Sequence, residues 1–195
     1  MDPITQQVVL ATAGAAADDA TYVDDLFSTT VYTGNGSSSN TVSSGLDFTD
    51  GDWLSWIKLR DQHNDSHFLS DSTQKTGTNY DSLASDRDYG KQTGESTGIN
   101  AVGTSSYTVG GSNAQVNGNT KKYVAWNFKA APGFFDVVTY TGNGTAGHTI
   151  SHNLGSAPGM ILVKCTSHST DWAVYKQKNG HPAFSNGGSA YASFL

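Results

Sequence analysis

An internal repeat constrains the fold more than any other feature of the sequence. The pentapeptide YTGNG occurs at residues 32–36 and again at residues 140–144, which is 108 residues later. A fixed register of this kind indicates repeated structural units. Three further segments extend the correspondence: 41–43 with 149–151 and Leu46 with Leu154 at the same offset, then 54–58 with 160–164 after a slip of two residues.

The repeat divides the chain into three parts. Residues 1–30 form an N-terminal segment outside the repeat, residues 31–138 form one full module, and residues 139–195 begin a second, homologous module. Only 56 residues remain from Tyr140 onward, about half of the period. Half a sandwich would leave its apolar face and strand edges open. We therefore expect either that the polypeptide continues or that neighbouring chains complete the sheet.

The second copy of the pentapeptide continues as GNGTAG, which matches the dinucleotide-binding pattern G-x-G-x-x-G. That pattern binds pyrophosphate only between a buried parallel strand and a helix N-terminus. A strand is predicted before it, at residues 134–140, but residues 148–155 (HTISHNLG) are β-branched and lack a helical stripe. Asn-Gly between apolar strands indicates a hairpin turn. We predict a structural turn in both copies, with no ligand and no cofactor.

The composition favours an all-β fold. The chain has 22 Gly and only 14% charged residues, whereas long helices need more Ala, Leu, Glu and Lys. Short strands with Asn/Gly turns, such as 107–109 and 121–130, predict an antiparallel β-sandwich. Residues 62–102 are expected to be long loops with short strands near Phe68 and Ile99. Trp56 and Trp126 are expected in the core, and Trp172, in a polar context, on the surface.

Charge and cysteine content limit the partners and the compartment. The net charge of −6 divides into −8 for residues 1–57 and +2 for the rest, so no clustered basic face for nucleic acid is expected. The N-terminus has neither a basic n-region nor a sustained apolar run, which argues against a signal peptide and against membrane insertion. Cys165 is the only cysteine, so folding in a cytoplasm is expected.

Two acidic stretches contain residue types that bind metals, but neither has a suitable spacing. The DQHNDSH stretch, residues 61–67, lacks the closed ligand set of a zinc site and is predicted to be a solvated loop. Asp47, Asp50 and Asp52 lack the ligand order of an EF-hand. No nucleophile elbow is present, and His148 and His152 have no nucleophile at a recognisable spacing. We predict no metal site, no catalytic residue and no enzymatic activity.

Three segments carry a resemblance to a known family: WIKLRD at 56–61, YVAWNFKAAPGFFDVVTYTGNG at 123–144 and TISHNLGSAPGMILVK at 149–164. They resemble repeat modules of tail-fibre and appendage proteins of marine, cyanophage-like tailed bacteriophages. The resemblance implies concanavalin-like or laminin-G-like sandwiches, made in the bacterial host cytoplasm and located in the virion. It also implies a structural role, at the base of a tail fibre or of a related tail or neck appendage.

The same resemblance makes the N-terminal segment the part that attaches to the virion. The segment is too short to bury its own apolar side chains, so it is expected to order against a portal, adaptor or tail protein. Fibres are commonly trimeric, so a homo-oligomer is also expected. A glycan-binding adhesin, with Trp172 as the glycan-contact candidate, and a capsule depolymerase are the alternatives. The virion-interface candidates are Ile4, Val8, Val9, Leu10, Tyr22, Val23, Leu26 and Phe27.

Overall fold

The computed structural model of the chain describes residues 21–62, 65–93, 98–111 and 115–176. It is an all-β, sandwich-like fold with antiparallel sheets, as predicted. One four-residue helix, α1, precedes the strands. The elements are α1 (Val23–Leu26), β1 (Phe27–Thr33), β2 (Asn40–Ser43), β3 (Trp53–Leu59), β4 (His67–Thr76), β5 (Asn79–Ala84), β6 (Ile99–Val102), β7 (Ser106–Val109), β8 (Lys122–Lys129), β9 (Met160–Val163) and β10 (Ala173–Lys176).

Two sheets built from the first repeat unit enclose the main core. The larger sheet has the order β1-β8-β3-β4-β5 and the smaller has the order β2-β7-β6. β3 shows why these residues form a half-buried strand: every second side chain, beginning with Trp53 and ending with Leu59, is buried, and those between are partly exposed. Phe48 stacks on Trp53 with ring centroids 4.5 Å apart. The core is therefore largely aromatic at this point.

A buried polar group, the Asn127 side chain, joins several elements inside this core. Its carboxamide oxygen accepts a hydrogen bond from Ser55 Oγ at 2.8 Å. Its nitrogen donates to Ser28 Oγ and to the carbonyl oxygen of Ser44, each at 3.1 Å. Asn127 and Ser55 are fully buried, and such groups are tolerated because their hydrogen bonds are satisfied. The contacts fix β8 against β1, β3 and the chain that follows β2.

The first YTGNG segment is a turn, but it does not connect two paired strands. It follows β1 of the five-stranded sheet and leads to β2 of the three-stranded sheet. The interpretation as a hairpin is thus wrong, because the chain here crosses from one layer of the sandwich to the other. The expected backbone conformation is confirmed at one position in each copy, since Gly36 has a φ of +67° and Gly144 a φ of +72°.

Several strand predictions fail where polar residues are buried. The stretch expected to be mostly loop contains β4 and β5, whose inner positions include Asp71 and Asp81. Asp71 accepts hydrogen bonds from Thr73, and Asp81 pairs with Lys91 Nζ at 2.7 Å. Conversely, residues 115–116 belong to a turn, and residues 134–140, predicted as a strand, contain only a bridge between Ala131 and Phe135.

The outer face of the larger sheet carries a second, smaller apolar cluster. Trp56 and Trp126, expected in the core, point to this face and are half-buried, with ring centroids 6.0 Å apart. Leu69 and Leu83 are buried there because Trp172 covers them. Trp172 belongs to the second repeat unit. Its contacts with Leu69 and Leu83 therefore join the two predicted modules, whose boundary lies between residues 138 and 139.

Candidate interaction surface

The two YTGNG copies form the same local turn, which we call the first turn (residues 32–37) and the second turn (residues 140–145). In the first, Asn35 Oδ1 accepts hydrogen bonds from the Ser37 amide at 3.0 Å and from Ser37 Oγ at 2.8 Å. In the second, Asn143 Oδ1 accepts from the Thr145 amide and Oγ1 at the same two distances. Asn followed two residues later by Ser or Thr closes such a turn locally. The local sequence thus determines this shape in both copies.

A second contact of the repeat is also preserved. The Leu46 amide donates to Ser44 Oγ at 3.3 Å, and the Leu154 amide donates to His152 Nδ1 at 3.2 Å. The Asn153 amide also donates to Asp136 Oδ2 at 2.6 Å. In the first unit, the equivalent residues Ser28 and Gly45 are likewise adjacent. The chain from 136 to 154 therefore follows parts of the path of residues 28 to 46.

The surroundings of the two turns differ completely. The Tyr32 ring stacks on Tyr123 with centroids 4.9 Å apart, and its hydroxyl donates to the Val116 carbonyl oxygen at 2.7 Å. Burial, and then the neighbouring Tyr107 and Tyr123, raise the pKa of Tyr32 well above its usual value. Tyr140 occupies the same position in the second turn and is 51% exposed. Its ring lies edge-on to His148, with ring centroids 6.2 Å apart.

The β9–β10 hairpin of the second unit is exposed in the same way. β9 corresponds to part of β3 but pairs only with β10 among the described strands, whereas β3 lies between β8 and β4. Its apolar side chains are consequently open to solvent. We call these side chains, together with those that precede the second turn, the exposed apolar surface: Phe134, Val138, Tyr140, Met160, Ile161 and Leu162.

The described part of the predicted anchor lies at one end of this surface. Tyr22 and Val23 are 65% and 66% exposed, while Leu26 and Phe27 are half-buried. The Phe27 ring packs on Phe128 at 5.0 Å, and Phe128 in turn lies 5.5 Å from Phe135 and 6.5 Å from Phe134. An aromatic cluster thus connects the N-terminal candidates to the start of the second unit. Ile4, Val8, Val9 and Leu10 lie outside the described residues.

The prediction that Trp172 is exposed is wrong. Its side chain is only 6% exposed, and its Nε1 donates a hydrogen bond to the Ala84 carbonyl oxygen at 2.9 Å. The ring covers apolar side chains of β4 and β5, which its polar sequence neighbours do not reveal. A ring that is buried on another sheet cannot present its face to a sugar. Trp172 instead attaches the second unit to the first.

The acidic residues Asp47, Asp50 and Asp52, considered as metal ligands, contact other side chains or amides of the chain. Hydrogen bonds from Thr49, from its side chain and then its amide, lower the pKa of Asp47. Asp52 accepts from Ser72 Oγ at 2.7 Å, and Asp50 lies 3.4 Å from Lys129 Nζ. In the part of the chain that the structure describes, no three His, Cys, Asp or Glu side chains come together as metal ligands. His63 and Asn64 are outside that part.

One nucleophilic group was missed by sequence reasoning. Cys165 Sγ lies 3.2 Å from His168 Nδ1 and 3.4 Å from Ser167 Oγ, beside an open depression of about 400 Å³. The hydrogen bond with the Ser167 side chain is the main cause that lowers the pKa of the Cys165 thiol. Among the described residues, no carboxylate hydrogen-bonds His168 to orient it. The arrangement favours a reactive thiolate, and the sequence signal is the spacing C-x-S-H.

The chain matches one known family over most of its described length. Residues 23–184 match the family described as "Domain of unknown function (DUF7483)". The chain belongs to this family. The match includes both the first unit and the exposed part of the second. No curated protein and no solved structure matches the chain. No helix among the described residues is long and apolar enough to span a membrane.

Proposed function

We propose that this chain is a structural protein of a tailed-bacteriophage virion, at the base of a tail fibre or of a related tail or neck appendage. Its N-terminal segment would attach to a portal, adaptor or tail protein, and its tandem β modules would extend towards distal host-recognition parts. The proposal starts from the resemblance of residues 56–61, 123–144 and 149–164 to tail-fibre repeat modules. Membership of the DUF7483 family is compatible with it and assigns no activity.

The observation that carries the proposal is the exposed apolar surface. Six large apolar side chains of this surface, on residues 134–162, are each more than a third exposed. They fall into two groups, residues 134–140 and β9, and exposed apolar groups of this kind favour assembly with another protein surface. The second unit already has repeat-specific contacts, such as those of Asn143 and Asp136, so it is folded in part rather than collapsed. A serial array of modules in an appendage accounts for both properties.

The proposal places the attachment function in the N-terminal segment. Tyr22 and Val23 are exposed beside the Phe27–Phe128 contact. A partner that bound there would also bury Phe134, because the aromatic cluster is continuous. Homo-oligomers, with a trimer as the specific expectation, fit the same surface because symmetric copies would cover the same side chains.

Purified phage particles provide the test. Mass spectrometry should detect the chain in particles, and deletion of residues 1–30 should remove it from them. The deletion removes the first four residues of the edge strand β1, including Ser28, but leaves β2 to β8 intact, so the circular dichroism of the truncated chain should stay that of a β-sandwich. Particles that contain the truncated chain at the wild-type level would disprove the anchor. Particles without the full chain would disprove the virion assignment.

A further inference from the structure

Gly142 is a glycine that its own surroundings do not require. Its φ is outside the left-handed region, and among the described residues other than its chain neighbours, no atom lies within 4 Å of where a Cβ would be. Its repeat equivalent, Gly34, also has an ordinary φ but is required for another reason: a Cβ there would overlap the carbonyl oxygen of Gly118. Glycine permits such close approach of two backbones. At Gly34, the space beside the glycine is occupied by the Gly118 backbone. The equivalent space beside Gly142 is not occupied by any described backbone.

The hydrogen bonds of the two turns show the same difference. In the first turn, the Gly34 amide donates to the Lys121 carbonyl oxygen at 2.8 Å. The Asn35 amide donates to Asn117 Oδ1, and the Gly36 amide donates to the Asn117 carbonyl oxygen, each at 3.0 Å. Within the described residues, the equivalent amides at positions 142, 143 and 144 donate to no protein acceptor. The second turn thus presents three matched donors to solvent.

We propose that the second turn is a docking site for a backbone turn of the kind that residues 116–123 (VNGNTKKY) form in the first unit, presented by another polypeptide. A carbonyl of the docking turn would sit over Gly142, as the Gly118 carbonyl sits over Gly34. An Asn side chain would bridge Asn143, as Asn117 bridges Asn35 through hydrogen bonds of 3.0 Å in both directions. A tyrosine ring would stack on Tyr140.

This inference deepens the assembly role proposed above and rests on it, since it specifies the chemistry of the partner. The second turn is already closed by Asn143 and Thr145, so the docking site needs little ordering when it binds. The chain's own turn at residues 116–123 is engaged in the first unit, where Asn117 is fully buried. Residues 116–123 of the same chain are therefore not the turn that docks on residues 140–145.

A labelled peptide of residues 115–125 (QVNGNTKKYVA) tests the proposal against the full 195-residue chain by fluorescence anisotropy. Saturable binding is expected. The peptide variants Asn117→Leu and Tyr123→Ala keep the charge of the peptide, so nonspecific electrostatic attraction would not distinguish them. Each should bind about tenfold more weakly or worse, because each removes a contact that the first unit makes.

Variants of the full chain separate docking from folding. Gly142→Val should weaken peptide binding by about tenfold or more, while circular dichroism and urea unfolding stay unchanged, because no atom lies near that Cβ. Gly159→Val is the matched control: it lies in the same unit, also has nothing within 4 Å, and should bind like the wild type. Equal peptide affinity of Gly142→Val and the wild type would overturn the proposal.

A tethered version covers the case of a peptide too weak to bind in solution. The peptide is fused after residue 195 through a flexible Gly/Ser linker of about 20 residues, which raises its effective concentration. The amides of residues 142–144 should exchange hydrogen more slowly than in the unfused chain, and Gly142→Val should abolish that protection. Unchanged exchange would refute docking. Presence in particles is measured separately, so the virion assignment and the docking site can fail independently.

Discussion

The two YTGNG turns of this protein have the same local hydrogen bonds and opposite environments. In the first turn, Asn35 binds both its own Ser37 and the distant Asn117, whereas in the second turn Asn143 binds Thr145 and no distant residue among those described. The comparison shows that a five-residue sequence determines a local backbone conformation. It does not determine burial, which depends on segments more than 80 residues away in the chain. Four predictions test or refine this difference between local conformation and burial, from the largest expected effect to the smallest.

The largest difference is expected between the two tyrosines. Tyr32→Ala should lower the free energy of unfolding by about 3 kcal/mol, because it removes the ring from Tyr123 and the hydroxyl from the Val116 carbonyl oxygen. Tyr140→Ala should change it by less than about 0.5 kcal/mol, since exposed side chains contribute little. Urea unfolding followed by tryptophan fluorescence measures both. Comparable losses from the two variants would mean that the second turn is buried in solution.

The two glycines that open the turns should differ in the same direction. Gly34→Ala should destabilise the chain by about 2 kcal/mol, because the new Cβ would force the Gly118 backbone away. Gly142→Ala should have an effect close to zero or slightly stabilising, since alanine restricts the unfolded chain more than glycine does. Thermal unfolding of the paired variants is sufficient as a measurement. A neutral Gly34→Ala would contradict the close approach of the two backbones.

At Thr120, unlike at Tyr32 and Gly34, a substitution is expected to stabilise the chain. Its φ of +64° is unfavourable for a β-branched residue, yet its amide donates to the Gly34 carbonyl oxygen at 2.9 Å. Thr120→Gly should relieve this strain and raise the free energy of unfolding by about 1 kcal/mol. The control Thr104→Gly, at an exposed position between β6 and β7 that is not one of the positive-φ positions, should lower it slightly. Stabilisation by both variants would rule out strain as the cause.

The smallest effect concerns Cys165, which corresponds to Leu59 in the first unit. Leu59 is fully buried, whereas Cys165 is half-exposed and hydrogen-bonded to Ser167. Because this hydrogen bond lowers the pKa of the thiol, more thiolate is present at neutral pH, and Ser167→Ala should slow the reaction with Ellman's reagent there. Leu59→Cys in a Cys165→Ser background should react far more slowly than the wild-type chain. Equal reaction rates for the introduced and the natural thiol would contradict the difference in burial.

Much of the first unit was predictable from the sequence, because its signals are local. The alternation in β8 and the apolar runs of β3 and β7 follow the two-residue period of a half-buried strand. The positive φ at Gly36 follows from Asn-Gly chemistry. These features predicted the all-β sandwich without knowledge of which strands pair.

The features that sequence reasoning missed depend on distant contacts. β4 and β5 resemble loops because several of their inner residues are polar. Asp81 is buried there with Lys91 Nζ 2.7 Å away and with a hydrogen bond from Thr76 Oγ1 at 3.1 Å. Trp172 is buried because β5 supplies a carbonyl acceptor at Ala84. The repeat shows from sequence alone that Gly142 is equivalent to Gly34. The reason why Gly34 must be glycine is the close approach of the Gly118 carbonyl oxygen, which only the structure shows.

The buried Asn127 cluster has a consequence for tandem repeats, because homologous units can exchange strands with one another. Asn127 is matched to Ser28, Ser44 and Ser55 of its own unit. At the equivalent positions, the second unit has Asp136, His152 and Ile161. The Ser44 contact uses a backbone carbonyl oxygen, and the Asp136 carboxylate can accept from an Asn nitrogen as Ser28 Oγ does. Ile161, however, offers no hydroxyl to replace the donor Ser55 Oγ, and a buried carboxamide oxygen without its donor is unfavourable. The second unit thereby disfavours a strand copied from β8 of the first unit, which lowers the tendency of the two units to exchange that strand.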